Sequence, residues 1–237
     1  MQGNHTTAAE QVALLGEPGM TLGEMVRATL VDCIIRGLFK EGDRLYPERI
    51  SEMFGVSITP VREALIQLAS EGFIQNIQRR GFHVMLPDPV QVREIWQVRM
   101  GLEQLAGDLA ILRLQDGDLA DADLVQLDRL QDEQELEGID HAVKLELNGR
   151  LHATIVALSG NQLLANLHQG LRSRVLGGLV QLGSERWRER LASESREHRA
   201  IIAAIKARNR EACREAIRAH VMRSLGDALE DLRLRKT

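Results

Sequence analysis

Apolar residues recur three and four apart through most of the chain from residue 95 to residue 232, with only short breaks between them. Ile95, Val98, Leu102, Leu105, Leu109 and Leu112 form one stripe; Asp116-Gly117-Asp118 breaks it, and Leu119, Leu124, Leu127 and Leu130 begin another that Gly138 ends. Val143, Leu147, Leu151, Ile155 and Leu158 run to Ser159-Gly160-Asn161. Leu164, Leu167, Leu171 and Val175 follow, with a kink or break expected at Gly177-Gly178. Leu191, Ile201, Ile202 and Ile205 mark a further helix, Asn209 a turn, and Ile217, Val221, Leu225, Leu229 and Leu232 the last. This is the spacing of amphipathic helices. Short connections place such helices side by side, so the pattern predicts an antiparallel bundle over about 92–233.

The first third of the chain reads differently. Residues 1–20 are small and polar and end in Gly16, Pro18 and Gly19, the composition of a disordered arm. From Thr21, the residues Leu22, Met25, Val26, Leu30, Ile34 and Ile35 predict a helix closed by Gly37. Pro47 starts a short helix with Ile50, Met53 and Phe54 on one side, and Gly55 stops it. Ser57 or Thr59 is placed to cap a third helix, where Pro60 is tolerated in the first turn and Val61, Leu65 and Leu68 face inward. Phe73, Ile74 and Ile77, then Phe82-His83-Val84 after Arg79-Arg80-Gly81, predict two short strands around a tight turn. Pro87 and Pro89 end the module at 21–86, leaving 87–91 as a stiff linker. The expected fold is mainly α: a winged helix-turn-helix of three helices and a β-hairpin, followed by an all-helical bundle. At 237 residues and 3% aromatic content, two domains fit and an all-β fold does not.

Charge announces no partner. The net charge is −4, and residues 21–86 hold 8 basic and 8 acidic side chains, so nucleic acid must be met by local clusters such as Arg79-Arg80. No apolar run approaches the roughly 18–20 residues of a membrane span. Cys33 and Cys213 lie far apart and no secretory leader pattern opens the sequence, from which a reducing, cytoplasmic location is expected.

Two helices joined by Phe54-Gly55-Val56, with small polar and basic residues leading the second and a basic hairpin behind it, suit the major groove of DNA. The N-terminal residues of such a helix meet base edges, its free amides favour phosphate, and the wing reaches an adjacent backbone or minor groove. Ser57, Thr59 and Arg62 are the recognition-helix candidates, Arg49 lies on the preceding helix, and Arg79, Arg80 and His83 lie in the wing. The alternative is that Ser57 and Thr59 only cap and Arg62 pairs with a carboxylate. GVSITPVREALIQLASEGFI followed by RRGFHV resembles the DNA-binding signature of the GntR family of bacterial transcription regulators. Ile58 stands where that family usually has a base-reading arginine, and Glu48 where relatives often have another. An isoleucine can touch a thymine methyl but cannot make a bidentate guanine contact, so operator sequence does not carry over.

In the helical part, Asn148 and His152 are four apart and share a helix face, while His198 and His220 sit among apolar residues of two other predicted helices. One inward histidine is ordinarily a satisfied core residue. Three that converge are costly to bury without partners, and a divalent cation, Zn²⁺ or Ni²⁺, satisfies them together. Arg99 is placed to meet a carboxylate ligand inside the bundle or to pair with Glu103 one turn on. Arg172 and Arg174 are weaker candidates for that pocket, and Glu194 and Glu197 are read as charged surface or as outer partners of the histidines. His141 and His168 read as surface or helix-end residues.

This half also resembles a known domain. Arg99 with Glu103 and Ala106, LNGRLHATIVALSGN, EHRAIIAAIKARN and AIRAHV are similar to the effector domain, called FCD, of the FadR-like branch of the GntR family. The resemblance implies a metal held by Asn148, His152, His198 and His220, with Asn in place of the common Asp, and a small organic acid bound beside it. It further implies a homodimer on a palindromic operator, most often as a repressor. Two other readings are a metal-dependent hydrolase, against which the lack of a nearby general base argues, and a regulator whose bundle serves only dimerisation.

Overall fold

The computed structural model describes residues 20–35, 38–84, 88–181 and 187–235, with the side chains of residues 35, 142, 172–181 and 235 outside the description. The expected N-terminal arm lies outside the described residues except for Met20. Apart from residues 177–181, the chain divides into two units after residue 87.

In the first unit, α1 (Leu22–Ile35) and α3 (Ile58–Ser70) pack together, and α2 (Pro47–Phe54) packs on α3. Pro47 opens α2, since a missing N–H costs nothing at a helix start. Gly55 ends it at φ 65°, a left-handed turn that brings the chain into α3. Ser57 takes the extended cap conformation before α3, but its hydroxyl makes no capping bond. Strands β2 (Ile74–Ile77) and β3 (Gly81–Val84) form the expected hairpin. A third strand, β1 (Arg44–Leu45), joins β3 antiparallel with Arg44 opposite His83 and Leu45 opposite Phe82. That strand is an addition to the sequence expectation, because two residues are too few to show a period. Val26, Leu30, Ile50, Phe54, Leu65, Leu68, Phe73 and Val84 fill a continuous core.

The second unit is helical throughout. It consists of α4 (Pro89–Asp116), a short 3₁₀ turn (Asp121–Leu124), α5 (Val125–Gln134), α6 (His141–Leu158), α7 (Gln162–Gln181), α8 (Trp187–Lys206) and α9 (Arg210–Arg235). Helix α9 packs along α4 and α8, and α6 packs on α4 and α5. Two expectations are corrected here. Residues 89–91 are not linker: Asp88 accepts from the Val90 amide and Pro89 opens α4 directly. Gly177-Gly178 does not break the helix, as α7 runs through both at a cost of about 1 kcal/mol for each glycine.

The inward face of α4 is also not the one its leucines suggest. Val92, Trp96, Arg99, Glu103, Ala106, Ala110 and Ile111 are buried, whereas Val98 and Leu105 are about half exposed at 53% and 47%. The buried face carries Arg99, Glu103 and Asp108, so apolar periodicity picks out the wrong side of this helix.

Candidate functional site

The three histidines converge. His152 on α6, His198 on α8 and His220 on α9 are all buried, with ring centroids 5.3, 5.0 and 4.7 Å apart. Each offers a ring nitrogen within 4.8 Å of the other two. Leu151 and Ile155 anchor α6 in the core beside His152, and Ile201, Ile202 and Ile205 do the same for α8. The apolar neighbours are what drive these helices together, and the imidazoles are carried in with them. Burial pushes the His152 pKa down to about 4, more than the neighbouring Glu103 carboxylate raises it, and pushes His198 well below the usual histidine value. Both are therefore neutral at pH 7, the form in which imidazole binds a metal.

Several buried polar atoms lack protein partners. Asn148 Oδ1, His152 Nε2 and His198 Nε2 have no hydrogen bond. Leaving such atoms unpaired costs on the order of 1–3 kcal/mol each. His152 Nδ1 lies 3.1 Å from Glu103 Oε2, close enough for strong attraction but not aligned as a hydrogen bond. An amide oxygen and imidazole nitrogens are a donor set that a borderline divalent cation accepts, so these residues fit a metal.

Glu103 is the hub beneath them. It is 1% exposed, and its Oε1 accepts from Arg99 Nε at 2.6 Å and lies 3.2 Å from His168 Nε2. Burial alone would raise its pKa, but Arg99 and His152 outweigh burial and hold it well below the usual carboxylate range. Arg99 thus makes the internal pair weighed in the sequence reading. His168, expected at the surface or a helix end, is instead buried at 4% against Glu103. The side chain of Arg172 lies outside the described residues.

Around this centre, Glu197 lies 2.9 Å from His220 Nδ1 and accepts from Arg223, so it is a partner of the site rather than charged surface. Glu194 pairs with the buried Lys144 at 3.0 Å. Gln131 lies 2.9 Å from His198 Nδ1. Sequence reasoning passed over Gln131 and Lys144, since each is polar within a helix whose apolar neighbours carry the period.

The nucleic-acid candidates lie on the first unit. Arg49, Ser57, Thr59, Arg62, Arg79 and Arg80 are exposed, and His83 is half-buried with Nε2 donating to the Arg80 carbonyl at 3.2 Å. Arg79 itself sits in the left-handed region at φ 66° in the wing turn. Arg62 meets the carboxylate of Glu48 at 3.2 Å. A surface cavity of about 400 Å³ runs between the start of α2, α3 and the wing, with Arg44, Tyr46, Arg62 and Asn76 on its walls. The Arg44 and Arg49 guanidinium carbons stand 4.7 and 5.2 Å from the Tyr46 ring. Arg44 and Tyr46 escaped the sequence reading because the β1–β3 pairing that brings them to the wing is long-range.

Residues 22–84 match the family of bacterial regulatory proteins called gntR, and residues 94–223 match the FCD domain. The chain is 31% identical over 191 residues to the HTH-type transcriptional regulator YdhC of Bacillus subtilis, spanning 79% of this chain and 82% of that protein. It is 31% identical to the HTH-type transcriptional regulator McbR of Escherichia coli over 76% of this chain and 80% of that one. Among solved structures, E. coli McbR/YncC superposes with a TM-score of 0.73 at 26% identity, covering 90% of this chain and 99% of that chain. These are transcription regulators and not enzymes, which removes the hydrolase reading. A winged helix-turn-helix matched over its whole length, joined to a helical unit matched around its buried histidines, makes this chain a member of the GntR family of bacterial transcription regulators with an FCD effector domain.

Proposed function

We propose that this regulator senses a small organic acid through a divalent cation, Zn²⁺ or Ni²⁺, held by His152, His198, His220 and Asn148. The convergence of three buried imidazoles, with an unpartnered Asn148 oxygen one turn before His152 on the same helix, carries the reading. A bound cation supplies a concentrated positive charge that attracts a carboxylate. Arg99 contributes from the side: its Nε is spent on Glu103, and its remaining guanidinium N–H groups have no protein acceptor among the described residues, leaving them for the acid. With Asn rather than Asp in the set, the site carries one negative charge fewer and releases metal more readily.

In the first unit, Ser57, Thr59 and Arg62 read base edges, and Arg49, Arg79, Arg80 and His83 serve the backbone or the adjacent groove. The protein acts as a cytoplasmic homodimer on a palindromic operator with half-sites about one helical turn apart, as a repressor. A coupling of about 1–3 kcal/mol between acid and operator suffices for release.

Elemental analysis of the wild type and of the His152→Ala, His198→Ala double variant tests this, paired with thermal shifts across mono- and dicarboxylic acids. Near-stoichiometric metal, lost in the variant together with an acid-induced rise in melting temperature, is the expected outcome. Neither metal nor shift in the wild type leaves the bundle as a dimerisation scaffold.

A further inference from the structure

Each histidine of the cluster is met at Nδ1 from a different helix. Glu103 on α4 stands 3.1 Å from His152 Nδ1, Gln131 on α5 stands 2.9 Å from His198 Nδ1, and Glu197 on α8 stands 2.9 Å from His220 Nδ1. The neighbours Glu197 and His198 serve opposite sides of the cluster, one as acceptor for α9 and one as a member of the triad.

What these three groups have in common is that they accept. Glu103 accepts from Arg99 Nε at 2.6 Å and Glu197 from Arg223 Nε at 2.6 Å, and a carboxylate paired with a guanidinium has no proton to give. Gln131 could in principle turn either end of its amide toward His198. Its Nε2, however, donates to Glu135 Oε1 at 2.8 Å and to Ser195 Oγ at 3.0 Å. Turning the amide over would set its oxygen against the Glu135 carboxylate, which Arg199 and Ser195 hold in place. The amide oxygen therefore faces His198.

We infer that Glu103, Gln131 and Glu197 are positioning residues that favour the Nδ1–H tautomer of all three imidazoles, Gln131 and Glu197 by hydrogen bonds and Glu103 by the attraction of its carboxylate 3.1 Å from His152 Nδ1, and so present three Nε2 lone pairs to one another. The inference rests on the metal reading for its purpose, although not for its geometry. A histidine free to choose would populate both tautomers, and one bearing hydrogen on Nε2 cannot bind a cation there without first moving a proton. The Gln131–Glu135–Ser195–Arg199 chain extends the control of His198 to the protein surface, some of its members being exposed.

Long-range ¹H–¹⁵N correlation spectra of the ¹⁵N-histidine-labelled full chain at pH 7, stripped of metal, read the tautomers directly. The expected result is the Nδ1–H pattern for His152, His198 and His220, each assigned by its single alanine variant. Gln131→Leu should give His198 a mixed signature and lower Zn²⁺ affinity about 10- to 100-fold in a chelator competition. Glu197→Leu should do the same at His220, while Glu197→Gln, which keeps an acceptor oxygen, should retain affinity within a few-fold. Circular dichroism establishes that each variant is folded, and Glu197→Gln against Glu197→Leu holds the test if Gln131→Leu does not fold. Nε2–H signals in the stripped wild type, or full Zn²⁺ affinity in both folded leucine variants, would overturn the inference. If wild type takes up no Zn²⁺, the metal reading fails while the stripped spectra still decide the tautomers.

Discussion

Arg62 and Glu48 face each other at 3.2 Å with side chains 59% and 58% exposed, on the surface proposed to meet DNA. A pair so open to water contributes little to stability, so its weight falls on recognition. Glu48→Gln should raise operator affinity several-fold, because it removes a negative charge facing phosphate and frees Arg62. Arg62→Ala should cost about 1–3 kcal/mol of binding and relax discrimination at one position of the operator. Fluorescence anisotropy on specific and scrambled duplexes across a salt series separates the two effects. A second residue-scale prediction concerns acid. His152 carries a folded pKa near 4 against 6.5 when free, so the unfolded chain binds more protons between these values. Stability present above about pH 6.5 is lost as pH falls toward 4, and Glu103, held low in the fold, adds a loss of the same sign below its free value of 4.5. Thermal melts of the metal-free protein between pH 7.5 and about 4 should show a steep fall, steeper than in His152→Gln. At this scale the histidines and Asn148 were legible because inward polar residues stand out against apolar neighbours. Glu103 as hub, His168 and Gln131 were not, because their roles arise from partners 65 and 67 residues away.

Helix α4 shows why element-level reading succeeded in number and failed in orientation. Its length, its Pro89 start and its Gly117 end follow local rules, the latter with φ 83° at the cap. Its inward face is set by the site, where Arg99 and Glu103 replace the apolar residues that a moment would detect. Close approach to α9 is set by Gly107, where an added Cβ would stand 2.7 Å from Cys213 Sγ and 3.3 Å from Ile217 Cδ1. Gly107→Ala should therefore destabilise the helical unit by about 1–3 kcal/mol through overpacking, despite alanine's better helix propensity. Urea unfolding followed by circular dichroism gives the value, and Cys213→Ala, which makes room, should recover part of it. The β1 strand is the counterpart in the first unit: Arg44-Leu45 has no local strand signal, and only β3 makes it one.

For the whole molecule, a neutral balance of charge in residues 21–86 leaves little long-range attraction for DNA, so tight binding needs two such modules acting together. Val98 and Leu105, seven residues apart on α4, and Leu163 and Leu167 on α7 are exposed apolar side chains of the kind a second copy covers. A Val98→Asp, Leu105→Asp variant should elute as a monomer in light-scattering chromatography and lose operator affinity at least tenfold, with its Zn²⁺ content unchanged. Wild-type mass in that variant would place the dimer contact elsewhere. Because α4 starts at Pro89, two residues after the division between units, its 28 residues form one rod about 42 Å long. Glu103 lies about 21 Å along it, so each degree of tilt pivoting there moves the first turn by about 0.4 Å. A ligand that rocked this helix by about five degrees would thus be geared up to a displacement of about 2 Å, more than the length of a chemical bond, at the helix's first turn.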